Sequence, residues 1–229
     1  MEGRESSSGS ARWLERARKR IVPLCDSCVK DVEVDGGGVA LLSSDRVRAV
    51  VYTSDDVSTA LEALQIDLAE GPCIDAGIGR SPVLISDLRD PGEGVVERWP
   101  FLLREVDPLG IRGVFAFPLR VGSIVLGTLE LYRSTAGPLQ RDQLSTALRA
   151  ADDMGSAIVD LGQPMDVGNI GRSAASVHQA AGMVMVQLDS TIDEAMALLR
   201  ASAFAEGVSL LQLSADVLSG RRRFTKEQT

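Results

Sequence analysis

The chain has 229 residues, with 24 Lys and Arg against 32 Asp and Glu, one histidine, three cysteines and a formal net charge of −8. Its 45% hydrophobic and 24% charged content is that of a globular chain able to bury a core without disulfide or metal staples. Three cysteines cannot all pair, and one histidine cannot build a His-based metal cluster, so no metal is expected. No apolar run approaches the roughly 18 residues of a membrane span, and the N-terminus has no signal-peptide core, so a cytoplasmic protein is expected. The acidic balance argues against a nucleic-acid binder driven by charge alone.

Charge is unevenly spread. Residues 1–30 carry 7 basic and 4 acidic groups (+3), residues 31–169 carry 11 and 22 (−11), and residues 170–229 carry 6 and 6 (0). Residues 1–10, rich in Ser, Gly and charge, read as disordered. A helix is expected from Ala11 to Val32, with Leu14, Ala17, Ile21, Leu24, Cys25 and Cys28 on one face and Pro23 as a kink or second start. Cys25 and Cys28 form a lone CxxC on that apolar stripe, which favours packing over redox or zinc chemistry. Gly36-Gly37-Gly38 reads as a turn. Strands follow at Val39–Leu42 and Arg46–Thr53, joined by Ser43-Ser44-Asp45.

Asp55–Leu68 has a helical stripe of Val57, Leu61, Leu64 and Leu68, broken by Gly71-Pro72. Glu70-Gly-Pro-Cys73-Ile-Asp75 then opens a short helix. Pro82–Ile85 is a short strand, Val95–Leu109 reads as helical around Trp99-Pro100, and Gly113–Val121 with Ile124–Tyr132 is the clearest hairpin. Leu139–Leu161 is a long helix with Leu144, Leu148, Ala151, Ile158 and Leu161 on one side. This order gives an α+β domain over 11–161, an antiparallel sheet flanked by helices.

Residues 162–171 read as a linker, and the chain beyond is all-helical: Arg172–Leu188, Ile192–Ala205 and Leu210–Ser219. Capping boxes mark Thr191 with Glu194 and Ser209 with Gln212, and Gly207 and Gly220 are helix stops. Ile170, Ala174, Val177, Ala181, Val184 and Leu188 recur at spacings of 4 and 3. That heptad seam buries itself either against a second copy or within its own bundle. His178 sits between seam positions and faces outward, without companions for base catalysis. The tail 221–229 opens on Arg221-Arg222-Arg223, which can serve a helix C-terminus or contact phosphates. No phosphate-binding loop, zinc-protease or nucleophile-elbow motif occurs. An enzyme is therefore not expected, and Cys73 is the one residue an enzymatic reading would use.

Segment 49–133 resembles a GAF domain of the kind found in actinobacterial sensor proteins. The matching residues are Ser54-Asp-Asp56, Ala69-Glu-Gly-Pro-Cys-Ile-Asp-Ala76, Pro82-Val-Leu-Ile-Ser-Asp87, Trp99-Pro100, Gly113-Val-Phe-Ala-Phe-Pro-Leu119 and Leu126-Gly-Thr-Leu-Glu-Leu-Tyr132. Val177-His-Gln-Ala-Ala-Gly-Met-Val-Met185, continuing through Glu194-Ala-Met-Ala-Leu-Leu-Arg200 to Ala215, resembles an ANTAR domain. The first resemblance implies a six-stranded or similar antiparallel sheet that binds a small molecule or relays dimer signals. Its pocket is expected to be lined by Tyr52, Cys73, Trp99, Phe115 and Phe117. With 4% aromatic residues, a flat cofactor such as haem or bilin is not expected. The second implies a three-helix module, 172–220, that binds RNA hairpins in leader transcripts and promotes transcription antitermination, usually as a homodimer.

On that resemblance Arg172, His178, Gln179, Gly182, Arg200, Arg221, Arg222 and Arg223 are the RNA-contacting candidates. Ile170, Ala174, Val177, Ala181, Val184 and Leu188 form the dimer seam. Ala180-Ala181-Gly182 departs from the Ala-Lys-Gly common in that family. A signalling protein that keeps the fold without RNA affinity is therefore the alternative. A DNA-reading helix is disfavoured because Leu210–Ser219 contains no Lys or Arg.

Overall fold

The structure, a computed structural model, describes residues 3–42, 48–122, 124–161, 172–208 and 210–225. It divides into two compact units, Met1–Asn169 and Ile170–Thr229. The expected turn at residues 43–45 and the expected linker at 162–171 lie outside the described residues.

The first unit runs α1 (Gly3–Val32), β1 (Gly36–Leu42), β2 (Arg48–Thr53), α2 (Asp56–Leu68), α3 (Pro72–Gly79), β3 (Val83–Ile85), α4 (Val95–Arg98), α5 (Leu102–Glu105), a 3-10 turn (Asp107–Leu109), β4 (Gly113–Val121), β5 (Ile124–Arg133) and α6 (Arg141–Asp160). The strands form one antiparallel sheet in the order β2-β1-β5-β4-β3.

Both faces of this sheet are covered, and strand alternation decides which residue goes where. Phe115, Phe117 and Leu119 of β4 share a face with Leu129 and Leu131 of β5 and Val39 and Leu41 of β1. That face lies under α1 and α6. Trp13, Ala17, Ile21, Cys25, Cys28 and Val32 form the buried stripe of α1. Ala147, Ala151, Met154, Gly155 and Ile158 form that of α6, while Leu148 turns outward. Arg133 at the end of β5 donates to the Val32 carbonyl (3.2 Å) and to Gln143 Oε1 (3.1 Å), joining both helices to the sheet. The opposite face presents Val114, Ala116, Thr128, Glu130 and Tyr132 to α2, α3, α4 and α5.

Several expectations are corrected. Residues 3–10 are helical, because a helix seeded by the amphipathic stripe of α1 extends at one hydrogen bond per added residue. α1 also runs through Pro23 without a second start. Gly36-Gly37-Gly38 is not a turn but the first half of β1, which lies second from one sheet edge. A Cβ on Gly37 would lie 2.6 Å from the Glu130 carbonyl and 3.3 Å from the Val29 side chain. Only glycine lets α1 and β5 approach that strand so closely. The expected 95–109 helix is two short helices and a 3-10 turn, broken at Pro100, which has no N–H to donate.

The second unit holds α7 (Arg172–Leu188), α8 (Ile192–Glu206) and α9 (Leu210–Leu218). The Thr191/Glu194 capping box is formed: the Thr191 N–H donates to Glu194 Oε2 (2.7 Å) and the Glu194 N–H to Thr191 Oγ1 (3.3 Å). The Ser209 box lies outside the described residues. The three helices close on one core that includes Ala180, Ala181, Val184, Leu199, Leu213, Val217 and Phe224.

Asp55 caps α2 and ties it to the sheet. Its carboxylate accepts the Ser58 N–H (2.7 Å) and the Ser54 hydroxyl (2.8 Å). Burial pulls its pKa up, but the Ser58 backbone, the Ser54 and Ser58 hydroxyls and the Tyr132 hydroxyl outweigh this and hold it below the ordinary carboxylate value. Asp55→Ala should therefore cost about 0.5–2 kcal/mol at neutral pH. With the folded value depressed, that contribution is full above the unfolded pKa of about 4 and fades as pH falls below it. Denaturant melts of both proteins at pH 7 and pH 3.5 should show the difference shrinking at the lower pH.

Burial, followed by neighbouring charges, pushes Cys25 and Cys28 up to about 12, which keeps both as neutral thiols. Cys73 is also buried. A thiol reagent at pH 8 should label no cysteine rapidly in the native chain and all three after denaturation. Rapid native labelling of Cys25 or Cys28 would contradict the packing role.

Candidate functional site

The sheet face under α2 and α3 holds the largest buried polar group among the described residues. Glu62 and Gln65 of α2, Cys73 of α3, and Thr128 and Glu130 of β5 are each no more than 2% exposed. Gln65 organises them. The Cys73 N–H can only donate, so the atom it meets at 2.9 Å is the Gln65 carbonyl oxygen. The Gln65 amide nitrogen is then aimed at Glu130 and donates to both carboxylate oxygens at 2.7 Å. The Thr128 hydroxyl donates to Cys73 Sγ (3.4 Å), and Sγ approaches Glu62 Oε1 at 3.9 Å. One donor atom each from Glu62, Cys73 and Glu130 lies within 4.8 Å of the others. Two carboxylates at that separation, were both ionised, would repel by about 3 kcal/mol at an effective dielectric near 20. That is as much as burying a large apolar side chain contributes. The fold therefore places costly groups together here.

The Glu70–Asp75 motif builds the rim of this site residue by residue. Glu70 Oε2 accepts the Phe101 and Leu102 N–H groups at 3.0 and 2.9 Å, capping α5. Gly71 has φ +124°, and a Cβ there would lie 2.4 Å from Gln65 Oε1. Pro72 starts α3, where a missing N–H costs nothing. Asp75 accepts Arg98 Nη1 at 2.7 Å, and the Arg98 guanidinium lies over the Trp99 ring at 5.3 Å. Trp99 is buried against Val114 and Tyr132 on this same side of the sheet. Its indole N–H meets no acceptor among the described residues.

Of the five residues expected to line a pocket, the structure brings only Cys73 and Trp99 to this face. Phe115 and Phe117 lie on the other face, because they alternate with Val114 and Ala116, which belong here. Tyr52 pairs with Val39 on the α1 side, and its hydroxyl donates to Asp26 of α1 at 2.5 Å. Burial and this bond push Tyr52 up to about 12. Glu62, Gln65, Thr128 and Glu130 were missed. Their signal was legible: Thr128 and Glu130 take one side of a strand whose other side is Leu129 and Leu131, and Glu62 and Gln65 stand three apart beside the α2 stripe.

In the second unit the seam is taken up internally. Ala181 and Val184 are fully buried in the module's own core, and Val177 and Leu188 pack against it. Ile170 lies outside the described residues, as do the side chains of Arg172, Ala174 and His178. The helices pack on this face because Ala180, Ala181 and Ala195 are small enough for close approach. Gln179 is exposed, Gly182 and Arg200 are half-buried, and a Cβ on Gly182 would meet nothing within 4 Å.

The basic end is organised. Arg221 pairs with Asp216 (2.6 Å), and Arg222 pairs with Glu206 (2.8 Å) and lies over the Phe224 ring at 5.1 Å. The Phe224 N–H donates to Gln187 Oε1 (2.9 Å), which ties the tail to α7. Arg223 is exposed. No helix of the described residues is long and apolar enough to cross a membrane.

Two solved structures illustrate the fold. The GAF domain/HD domain protein from Geobacter sulfurreducens is 14% identical with a TM-score of 0.52, covering 65% of this chain and 95% of that one. The GAF domain region of a second protein, from Geobacter sulfurreducens PCA, is 15% identical with a TM-score of 0.51, covering 64% and 97%. No curated protein matches the chain. The GAF domain family itself matches residues 24–158, over half of the chain and all five strands of the sheet. The chain belongs to the GAF domain family.

Proposed function

We propose that the chain is a signal-responsive regulator of gene expression, in which the GAF unit controls an RNA-binding module formed by α7, α8 and α9. The GAF unit is a sensor domain of the kind typical of signalling proteins. The RNA-binding role rests on the resemblance of Val177–Ala215 to ANTAR domains. The observation that supports it is the presence of three helices, α7, α8 and α9, the number that resemblance implies. Such a module binds hairpins in leader transcripts and promotes antitermination. A ligand that prefers one state of the GAF unit would shift the module between two arrangements.

The basic end fits folded RNA better than it fits polyanions in general. Arg221 and Arg222 are held by exposed ion pairs, each of which contributes little stability in water. A phosphate can replace Asp216 or Glu206 as the partner at small cost, while Phe224 keeps Arg222 oriented. With six cations against six acids in residues 170–229, contact must be local. RNA loops are read by stacking and base-edge hydrogen bonds as well as phosphates, and Gln179 is exposed for such contacts. Position 181 is buried, so its alanine serves packing. A second copy would double the contact set, and the exposed Met183 and Val186 of α7 are available to it.

Pull-down of native transcripts with the full chain should enrich structured leader RNA. Salt titration of an enriched hairpin should give a falling affinity. The slope is about −0.7 per neutralised phosphate for single strands, so replacing Arg221, Arg222 and Arg223 with Ala should flatten it by about two units. No enriched RNA, or binding without salt dependence, would support the alternative of a signalling protein without RNA affinity.

A further inference from the structure

We propose that Glu62, Cys73 and Glu130 form a buried site for one divalent first-row transition-metal ion of borderline softness, of the zinc and ferrous class. The proposal rests on the reading of this unit as a sensor and names the class of ligand it takes.

The donor set is the first argument. Two carboxylates and one sulfur come from three different elements, α2, α3 and β5, and all three side chains are buried. Their donor atoms lie within 4.8 Å of one another, and Cys73 Sγ is 3.9 Å from Glu62 Oε1. At a tetrahedral angle, metal–sulfur bonds near 2.3 Å and metal–oxygen bonds near 2.0–2.2 Å place ligands of one ion roughly 3.4–3.6 Å apart. Side-chain rotations that draw the donors in by about 1 Å would close the spacing on a single ion. A sulfur ligand disfavours magnesium and calcium, which take oxygen donors.

Two further features point to a bound group. Gln65 grips both oxygens of Glu130 and is itself fixed by the α3 N-terminus, the supporting contact that ligating carboxylates commonly have. On the same side of the sheet, Trp99 packs with Val114 and Tyr132 and carries a buried indole N–H that meets no acceptor among the described residues. Three protein donors leave a coordination position open, and a coordinated water or anion would give this face an additional acceptor. The ion would also draw both carboxylates to a shared positive charge.

The test is titration of the chelator-stripped full chain with Co2+, read by thiolate-to-metal charge-transfer absorption and by native mass spectrometry. One ion per chain is expected, displaced by Zn2+ and not by excess Mg2+. Cys73→Ser should abolish the absorption, whereas Cys25→Ser with Cys28→Ser should keep it. Glu130→Gln, which preserves shape and the thiol, should weaken binding at least tenfold, and Gln65→Ala about 10- to 100-fold. Circular dichroism checks the fold of each variant. No bound ion in the wild-type chain would overturn the proposal. So would absorption that survives Cys73→Ser, or equal binding of Mg2+. None of these readouts uses RNA, so their failure would leave the RNA-binding reading standing.

Discussion

A single side-chain amide joins two helices and a central strand of the first unit. Gln65 accepts from the first turn of α3 with one atom and donates to Glu130 of β5 with the other, while its own backbone belongs to α2. Neither end can be reversed, because a backbone N–H only donates and a carboxylate only accepts. Two helices and a central strand are therefore locked in one arrangement by chemistry that apolar packing could not supply. Gly71 follows from it, since any side chain there would strike the amide. Cys73 follows as well, because the bond to its N–H fixes where its sulfur emerges.

The two faces of the sheet divide the labour. Under α1 and α6 the contacts are apolar and closely packed, with Phe115, Phe117 and the neutral Cys25 and Cys28 thiols serving as core. Under α2 and α3 the fold tolerates two buried glutamates, a glutamine and a threonine. Groups of that kind lower stability unless well partnered, so this face depends on the bonds that Gln65 and Thr128 supply. Glu70 and Asp75 lie on its rim and fasten α4 and α5 over it through the Phe101 and Leu102 amides and Arg98.

Much of this was legible in the sequence, and the exceptions have physical causes. Helix and strand positions followed from periodicity, and the 113–133 hairpin and α7 matched closely. The triple glycine misled because glycine marks both turns and strands pressed against neighbours, and only the neighbours Val29 and Glu130 distinguish them. The pocket assignment failed for Phe115, Phe117 and Tyr52 because aromatic character does not say which face a residue occupies; register does. Val177, Ala181, Val184 and Leu188 of the heptad seam pack within the module's own core, and spacing alone cannot tell a partner helix of another chain from α8 and α9 of the same one. Glu62 and Glu130 were passed over because isolated acids in a charged chain look like surface. Their burial, together with the alternation that sets Thr128 and Glu130 against Leu129 and Leu131, makes them informative.

The central claim is that the Gln65 amide organises a built polar site. It is tested most directly by hydrogen exchange at the Cys73 amide in Gln65→Leu, a variant of similar size without the hydrogen bonds. The account predicts a loss of about 2–4 kcal/mol from bonds to a charged group and a buried N–H. Cys73 exchange should become faster by more than that global loss explains, while the amides pairing β4 with β5 change only by the global amount. A Gln65→Leu chain as stable as the parent, with the Cys73 amide equally protected, would contradict it.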